Sequence, residues 1–147
     1  MAKRRIKPAQ PLPADARDAR PTERIHLPVS VSFRYAETKG RYSLVKAETR
    51  EWRDVIDCLR QLTTMTWRQV QTTGGKGGQK QGLGYTPYKD SDLKGVNRPQ
   101  RLSPDLGIFS VRASRATRLF LAYDDHITYL LWFDRRHRIA PDPAKPN

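Results

Sequence analysis

The chain has 147 residues, enough for one domain with a modest core. Its 28 lysines and arginines against 15 acidic residues leave a net charge of +13, which points to a polyanion, nucleic acid above all, or to an acidic protein that neutralises it; a solvated basic surface is the plainer alternative. One cysteine excludes an intrachain disulfide and a cysteine-rich metal site, and no apolar run reaches the ~18 residues of a membrane-spanning helix.

Met1–Pro28 is rich in proline, alanine and charge, holds five of the eleven prolines, and reads as a disordered basic arm. No apolar segment follows the basic Met1–Lys7, so no secretory leader is expected, and the lone cysteine fits a reducing cytoplasm. One α+β domain is expected over residues 29–140, followed by a polar tail over 141–147. Val29–Ala36 alternates strictly, with Val29, Val31, Phe33 and Tyr35 on one side, and predicts a half-buried strand. Glu37–Arg41 reads as a turn around Gly40, and Tyr42–Lys46 as a short strand or the approach to a helix.

Glu48–Leu62 carries Trp52, Val55, Ile56, Leu59 and Leu62 at helical spacing, so it predicts a helix with one apolar stripe, capped at Thr49. Cys58 falls on its apolar side and is read as core. Thr66-x-x-Gln69 has capping-box spacing and starts a second short helix with Trp67 and Val70. The character then changes. Residues 72–106 read as a long basic loop, with six of the nine glycines between Gly74 and Gly84. Exposed glycine amides with Lys76 and Lys80 suit contact with a phosphate backbone. The loop is not a nucleotide-triphosphatase motif, because no Gly-Lys is followed by Ser or Thr. The histidines His26, His126 and His137 are scattered, so neither cofactor nor metal is expected.

The most apolar stretch is GIFSVRASRATRLFLAYDDHITYLLWFDRRHR, Gly107–Arg138. The alternating runs Ile108–Ala113 and Arg118–Tyr123, and Ile127–Phe133 with its β-branched and aromatic residues, predict an antiparallel meander. The fold class expected is therefore α+β, a small antiparallel sheet packed by one or two helices. Asp134-Arg135-Arg136-His137-Arg138 follows the last strand directly, where loops commonly carry function. Metal-independent RNA cleavage needs a base for the 2′-hydroxyl, an acid for the leaving 5′-oxygen and cations for the transition state. Histidine as a residue type can exchange protons near neutrality, so His137 would be the acid or base, with Arg112 and Arg118 supplying charge and Arg135 and Arg136 holding substrate. Asp134 would orient His137 or pair with a nearby arginine, and Tyr123 and Tyr129 share the sheet. The bland reading of the same residues is a strand end closed by surface ion pairs.

A strand, one or two helices and a meander with arginine-bearing strands resembles the RelE/ParE-type bacterial toxins. The likeness is carried by IFSVRASRATRLFLAYDDHITYLLWFDRRHRI, Ile108–Ile139, about a quarter of the chain. Arg112 and Arg118 match the two arginine positions of that superfamily, and His137 falls in its basic end. The resemblance implies a toxin of a toxin–antitoxin system that cuts messenger RNA on the ribosome without metal, using residues such as Arg112, Arg118, His137 and Asp134. It also implies an acidic antitoxin as partner; another branch of the superfamily inhibits DNA gyrase. The chain departs from the pattern in its basic arm and in replacing a long helical hairpin with a helix, a short segment and the glycine-rich loop. A non-catalytic nucleic-acid-binding module, or a basic subunit of a larger assembly, fits the same charge without requiring the same geometry.

Overall fold

A computed structural model describes residues 26–74 and 82–141. Most of the expected arm, nearly all of the tail, and residues 75–81 with Lys76 and Lys80 lie outside the described residues. The elements are β1 (Ser30–Ser32), α1 (Thr49–Leu62), α2 (Trp67–Thr72), β2 (Thr86–Tyr88), β3 (Gly107–Arg112), β4 (Arg118–Asp124) and β5 (Ile127–Asp134). They form an α+β domain around a five-stranded sheet ordered β1-β5-β4-β3-β2. Among the described residues no helix is long and apolar enough to cross a membrane.

The sheet is mixed, where a purely antiparallel one was expected. The β2–β3, β3–β4 and β4–β5 pairs are antiparallel, but β1 runs parallel to β5, with Ser30 opposite Ile127. A hairpin turn forces its two strands antiparallel; β1 meets β5 across the whole chain and is under no such constraint. The contact is reinforced by Thr128 Oγ1, which donates to the Ser30 carbonyl at 2.9 Å. Only three residues of the expected Val29–Ala36 strand pair this way. The other edge, β2, carries Pro87, which an edge strand tolerates because its missing amide faces no neighbour.

Both helices cover one face of the sheet. Phe109, Val111, Leu119, Leu121, Leu130 and Phe133 meet Val55, Cys58, Leu62, Trp67 and Val70 there. The buried stripe of α1 is Val55, Cys58 and Leu62. Ile56 was expected within it but is 51% exposed. At 3.6 residues per turn Ile56 lies ~100° round from Val55, just outside the stripe. Glu48 caps this helix in place of Thr49, its backbone N–H donating to Glu51 Oε1 at 2.9 Å. The capping box expected at Thr66 is present: Gln69 N–H donates to Thr66 Oγ1 at 3.3 Å, and Thr66 N–H to Gln69 Oε1 at 2.9 Å. It aims Trp67 onto the sheet, where the indole stacks on Tyr123 with centroids 3.6 Å apart and meets Phe109 edge-on.

The second face is also covered. Ile108, Phe120, Ala122, Leu131 and Trp132 pack under Tyr42, Leu102, Ile139 and Ala140. Residues 89–106, expected as structureless basic loop, supply part of this cover. Arg98 holds the segment closed: it binds Asp90 through two nitrogens at 2.7 and 2.9 Å, and its Nη1 donates to the carbonyls of Ser103 at 3.0 Å and Leu106 at 2.8 Å. That arginine pins the loop, and its carboxylate partner Asp90 is drawn below the usual carboxylate range, first by the hydrogen bond from Arg98.

Candidate nucleic-acid interface

One irregularity decides which side chains meet. The β4–β5 register shifts by one residue between Phe120 and Leu121, so that Phe120 faces Trp132 while Leu121 faces Leu130. Leu131 is the extra residue of a β-bulge, and Leu131 and Trp132 both pack on the second face. Strict alternation from Tyr129 would send Asp134 to the helix-covered face. The bulge reverses that parity, and Asp134 comes to lie in line with Arg118, which lies in line with Arg112. Two arginines and a carboxylate thus form a row across three strands, on the face away from the helices.

The row is not simply exposed charge. Arg118 is half-buried, and its Nη1 donates to the carbonyls of Ser114 at 3.0 Å, Thr117 at 3.2 Å and Arg115 at 3.3 Å, closing the β3–β4 turn. Burial, and then the neighbouring positive charge of Arg112, pulls the Arg118 pKa below the ordinary arginine value, partly opposed by Asp134. The Arg112 guanidinium lies over Gly84, whose φ is +60°. A Cβ there would sit 3.5 Å from Arg112 Nη2, and an L side chain would also be strained at that φ. Neither arginine forms an ion pair of salt-bridge length among the described residues.

Asp134 is 1% exposed. Its Oδ2 accepts the backbone N–H of Ile139 at 2.8 Å and so closes the 135–138 turn. One oxygen of the carboxylate is thus a backbone anchor within the turn, beside its place in line with Arg118. Arg135 leaves the turn sideways: its Nε and Nη2 reach Glu51 at 2.5 and 2.7 Å, and Nη2 also donates to the Lys46 carbonyl at 3.2 Å. The bond from Arg135 holds the Glu51 carboxyl below the usual range. His137, half-buried, has a left-handed backbone with φ +55°, which a β-carbon disfavours.

The turn lines a pocket of about 200 Å³ together with a segment that the residues themselves had not marked. Arg41, Tyr42, Asp134, Arg135, Arg136 and Arg138 form its wall; His137 does not. Arg41 arrives because residues 37–42 continue along the free edge of β5: Glu37 N–H donates to the Leu131 carbonyl at 3.0 Å and Phe133 N–H to the Tyr42 carbonyl at 2.8 Å. Nothing local in RYS at 41–43 signals this, since the partner strand is some ninety residues away.

The structure therefore brings Asp134, Arg135 and Arg136 into one pocket, sets Arg112 and Arg118 in a row that ends at Asp134, and leaves His137 outside the pocket wall. Tyr123 lies on the opposite face, stacked on Trp67, and burial, aided by Asp125 and Asp124, pushes its hydroxyl up to about 12. It is protonated at neutral pH and serves the core. Tyr129 lies five positions from Asp134, ~15 Å along the strand, and packs edge-on against Tyr35. Lys76 and Lys80 lie outside the described residues. Among the described residues no three His, Cys, Asp or Glu side chains come together in a metal-binding group. Comparison with protein-family models, curated proteins and solved structures found no match for this chain.

Proposed function

We propose that the chain is a toxin-like RNA-binding protein that grips the phosphate backbone with the arginine-rich end of its sheet. The carrying observation is the crowding of Arg41, Arg112, Arg118, Arg136 and Arg138 around one strand end, none in an ion pair of salt-bridge length among the described residues. Like charges held together by a fold repel one another, and a polyanion relieves that repulsion while releasing its counterions. An acidic antitoxin would relieve it in the same way and is the protein partner this reading expects, in a cytoplasmic setting and with ribosome-bound messenger as target.

Metal-independent cleavage is the second reading, favoured by the left-handed backbone at His137 between two pocket arginines. Strain of this kind concentrates at working sites. His137 would move the proton and Arg112 and Arg118 would stabilise the developing phosphorane charge.

One set of measurements separates these readings. Binding of a single-stranded RNA is followed across salt concentration for the wild type and for Arg136→Glu and Arg138→Glu, and RNA integrity is followed for His137→Ala. Backbone binding predicts a steep salt slope that each reversal makes shallower by about one or more phosphate contacts. Cleavage predicts that His137→Ala retains binding and loses scission. A slope indifferent to both reversals would refute RNA binding at this end of the sheet.

A further inference from the structure

The pocket is more selective than a basic surface needs to be. Its charges can be followed residue by residue. Among the described residues four guanidiniums line it. One, Arg135, is held by the Glu51 carboxylate, and the Asp134 carboxylate forms part of the wall. The surplus left after these two acids is two positive charges, carried by Arg41, Arg136 and Arg138 with no ion pair of their own among the described residues. A phosphodiester inside a strand brings one negative charge, whereas a phosphate monoester brings about 1.5–2 at neutral pH and three strong acceptor oxygens.

Shape agrees with charge. The pocket is about 200 Å³, room for several waters at ~30 Å³ each, hence for one phosphate with its sugar and not for a run of strand. Its floor is firm: Asp134 and Tyr42 are 1% and 8% exposed, and the Asp134–Ile139 bond fixes the turn that carries Arg136 and Arg138. Arg41 comes from a different segment, tied to β5 through the Tyr42 carbonyl. Guanidiniums reach the pocket from two segments of the chain, and their planar forks are the groups that bind a phosphate bidentately.

We infer that the pocket formed by Arg41, Arg136 and Arg138 over Asp134 and Tyr42 binds a phosphate monoester, the terminal phosphate of an RNA strand or of a free nucleotide. The inference rests on the phosphate-binding reading above and narrows it from backbone to end group.

The test uses the full chain and fluorescent RNA decamers that differ only at one end: hydroxyl, 5′-phosphate, 3′-phosphate, and the corresponding methyl phosphates, which keep the phosphate but only one charge. At least one phosphorylated decamer is expected to bind about tenfold more tightly than the hydroxyl decamer, as a lost set of charge-assisted hydrogen bonds implies, with its methyl ester close to the hydroxyl form. Arg41→Gln and Arg138→Gln, both at exposed positions, should each bring the ratio of phosphorylated to hydroxyl affinity below about threefold. Nucleoside 5′- and 3′-monophosphates are titrated in parallel. Decamers that bind alike whatever their ends overturn the inference and leave the RNA reading standing. Saturable monophosphate binding that Arg41→Gln weakens, with no decamer bound, supports the pocket with a free nucleotide as its source and overturns the RNA reading. A methyl ester that binds as well as the monoester overturns the charge argument.

Discussion

Asp134→Ala tests whether the sheet end is organised by a buried anchor. The side chain is 1% exposed and accepts the N–H of Ile139, itself fully buried, at 2.8 Å. Alanine leaves that donor without a partner. An orphaned buried donor costs about 1–3 kcal/mol, and a bond to a charged acceptor lies in the upper half of that range. Arg118 also loses the negative charge next to it in the row while Arg112 remains. A loss of about 2–3 kcal/mol is therefore expected. For a chain of this size that is a fall of roughly 5–10 °C in Tm. Asp134→Asn keeps an acceptor oxygen in the same place and should cost less than half as much. Urea titrations followed by tryptophan fluorescence measure both. An Asp134→Ala midpoint equal to the wild type with an unchanged slope would refute the reasoning, as would an asparagine variant that costs as much as the alanine. A stable Asp134→Ala protein that binds RNA but no longer cuts it would give Asp134 a part in cleavage beyond anchoring the turn.

Other outcomes follow from the same geometry. Arg98→Ala removes the clamp on residues 89–106 and should lower stability by about 1–2 kcal/mol, with hydrogen exchange accelerated at the amides of Leu93, Leu102 and Leu106 and little change in β4; slow exchange throughout would place the clamp elsewhere. Burial pushes the Cys58 thiol up to about 12, so it should resist a thiol reagent at pH 8 until the protein unfolds. Because the native thiol holds its proton more firmly than the unfolded one, that contribution is complete below the unfolded pKa near 9 and is lost as pH rises from there towards 12; Cys58→Ala should remove this part of the alkaline decline. Glu51 has the opposite sign: its pKa is lowered by Arg135, so its contribution is present above the ordinary carboxylate pKa and lost as acid takes the pH below it, and Glu51→Gln should flatten the urea midpoint across that range. Deleting Leu131 removes the extra residue and leaves Trp132, Phe133 and Asp134 on their present faces, so unfolding should stay cooperative at a cost of about 2–5 kcal/mol for the lost buried side chain; loss of a cooperative urea transition would refute the bulge assignment.

Local patterns were sufficient for much of this molecule. Period-two alternation marked β3 and β4, and a run of β-branched and aromatic residues marked β5, each to within a residue or two at each end, because such residues fit a sheet covered on both faces and short turns join these strands. Helical spacing found α1, and the Thr66–Gln69 pair found α2, because a capping box is made by residues three apart. Cys58 was legible as core for the same reason. What local pattern does not carry is anything set by distant partners. The parallel pairing of β1 with β5 joins residues almost a hundred positions apart. The ordered cover over residues 89–106 depends on one arginine reaching back to Asp90.

The candidate site divides along the same line. The sequence by itself determined the strand end and its arginines, because composition and position are visible without a fold. The bulge at Leu131, invisible in an unbroken apolar run, decided which face Asp134 joins and therefore that it lines up with Arg118 and Arg112. The continuation of residues 37–42 along β5 decided that Arg41 completes the pocket wall. Side-chain parity and non-local edge pairing are properties of strands in contact, so only the tertiary structure could supply them.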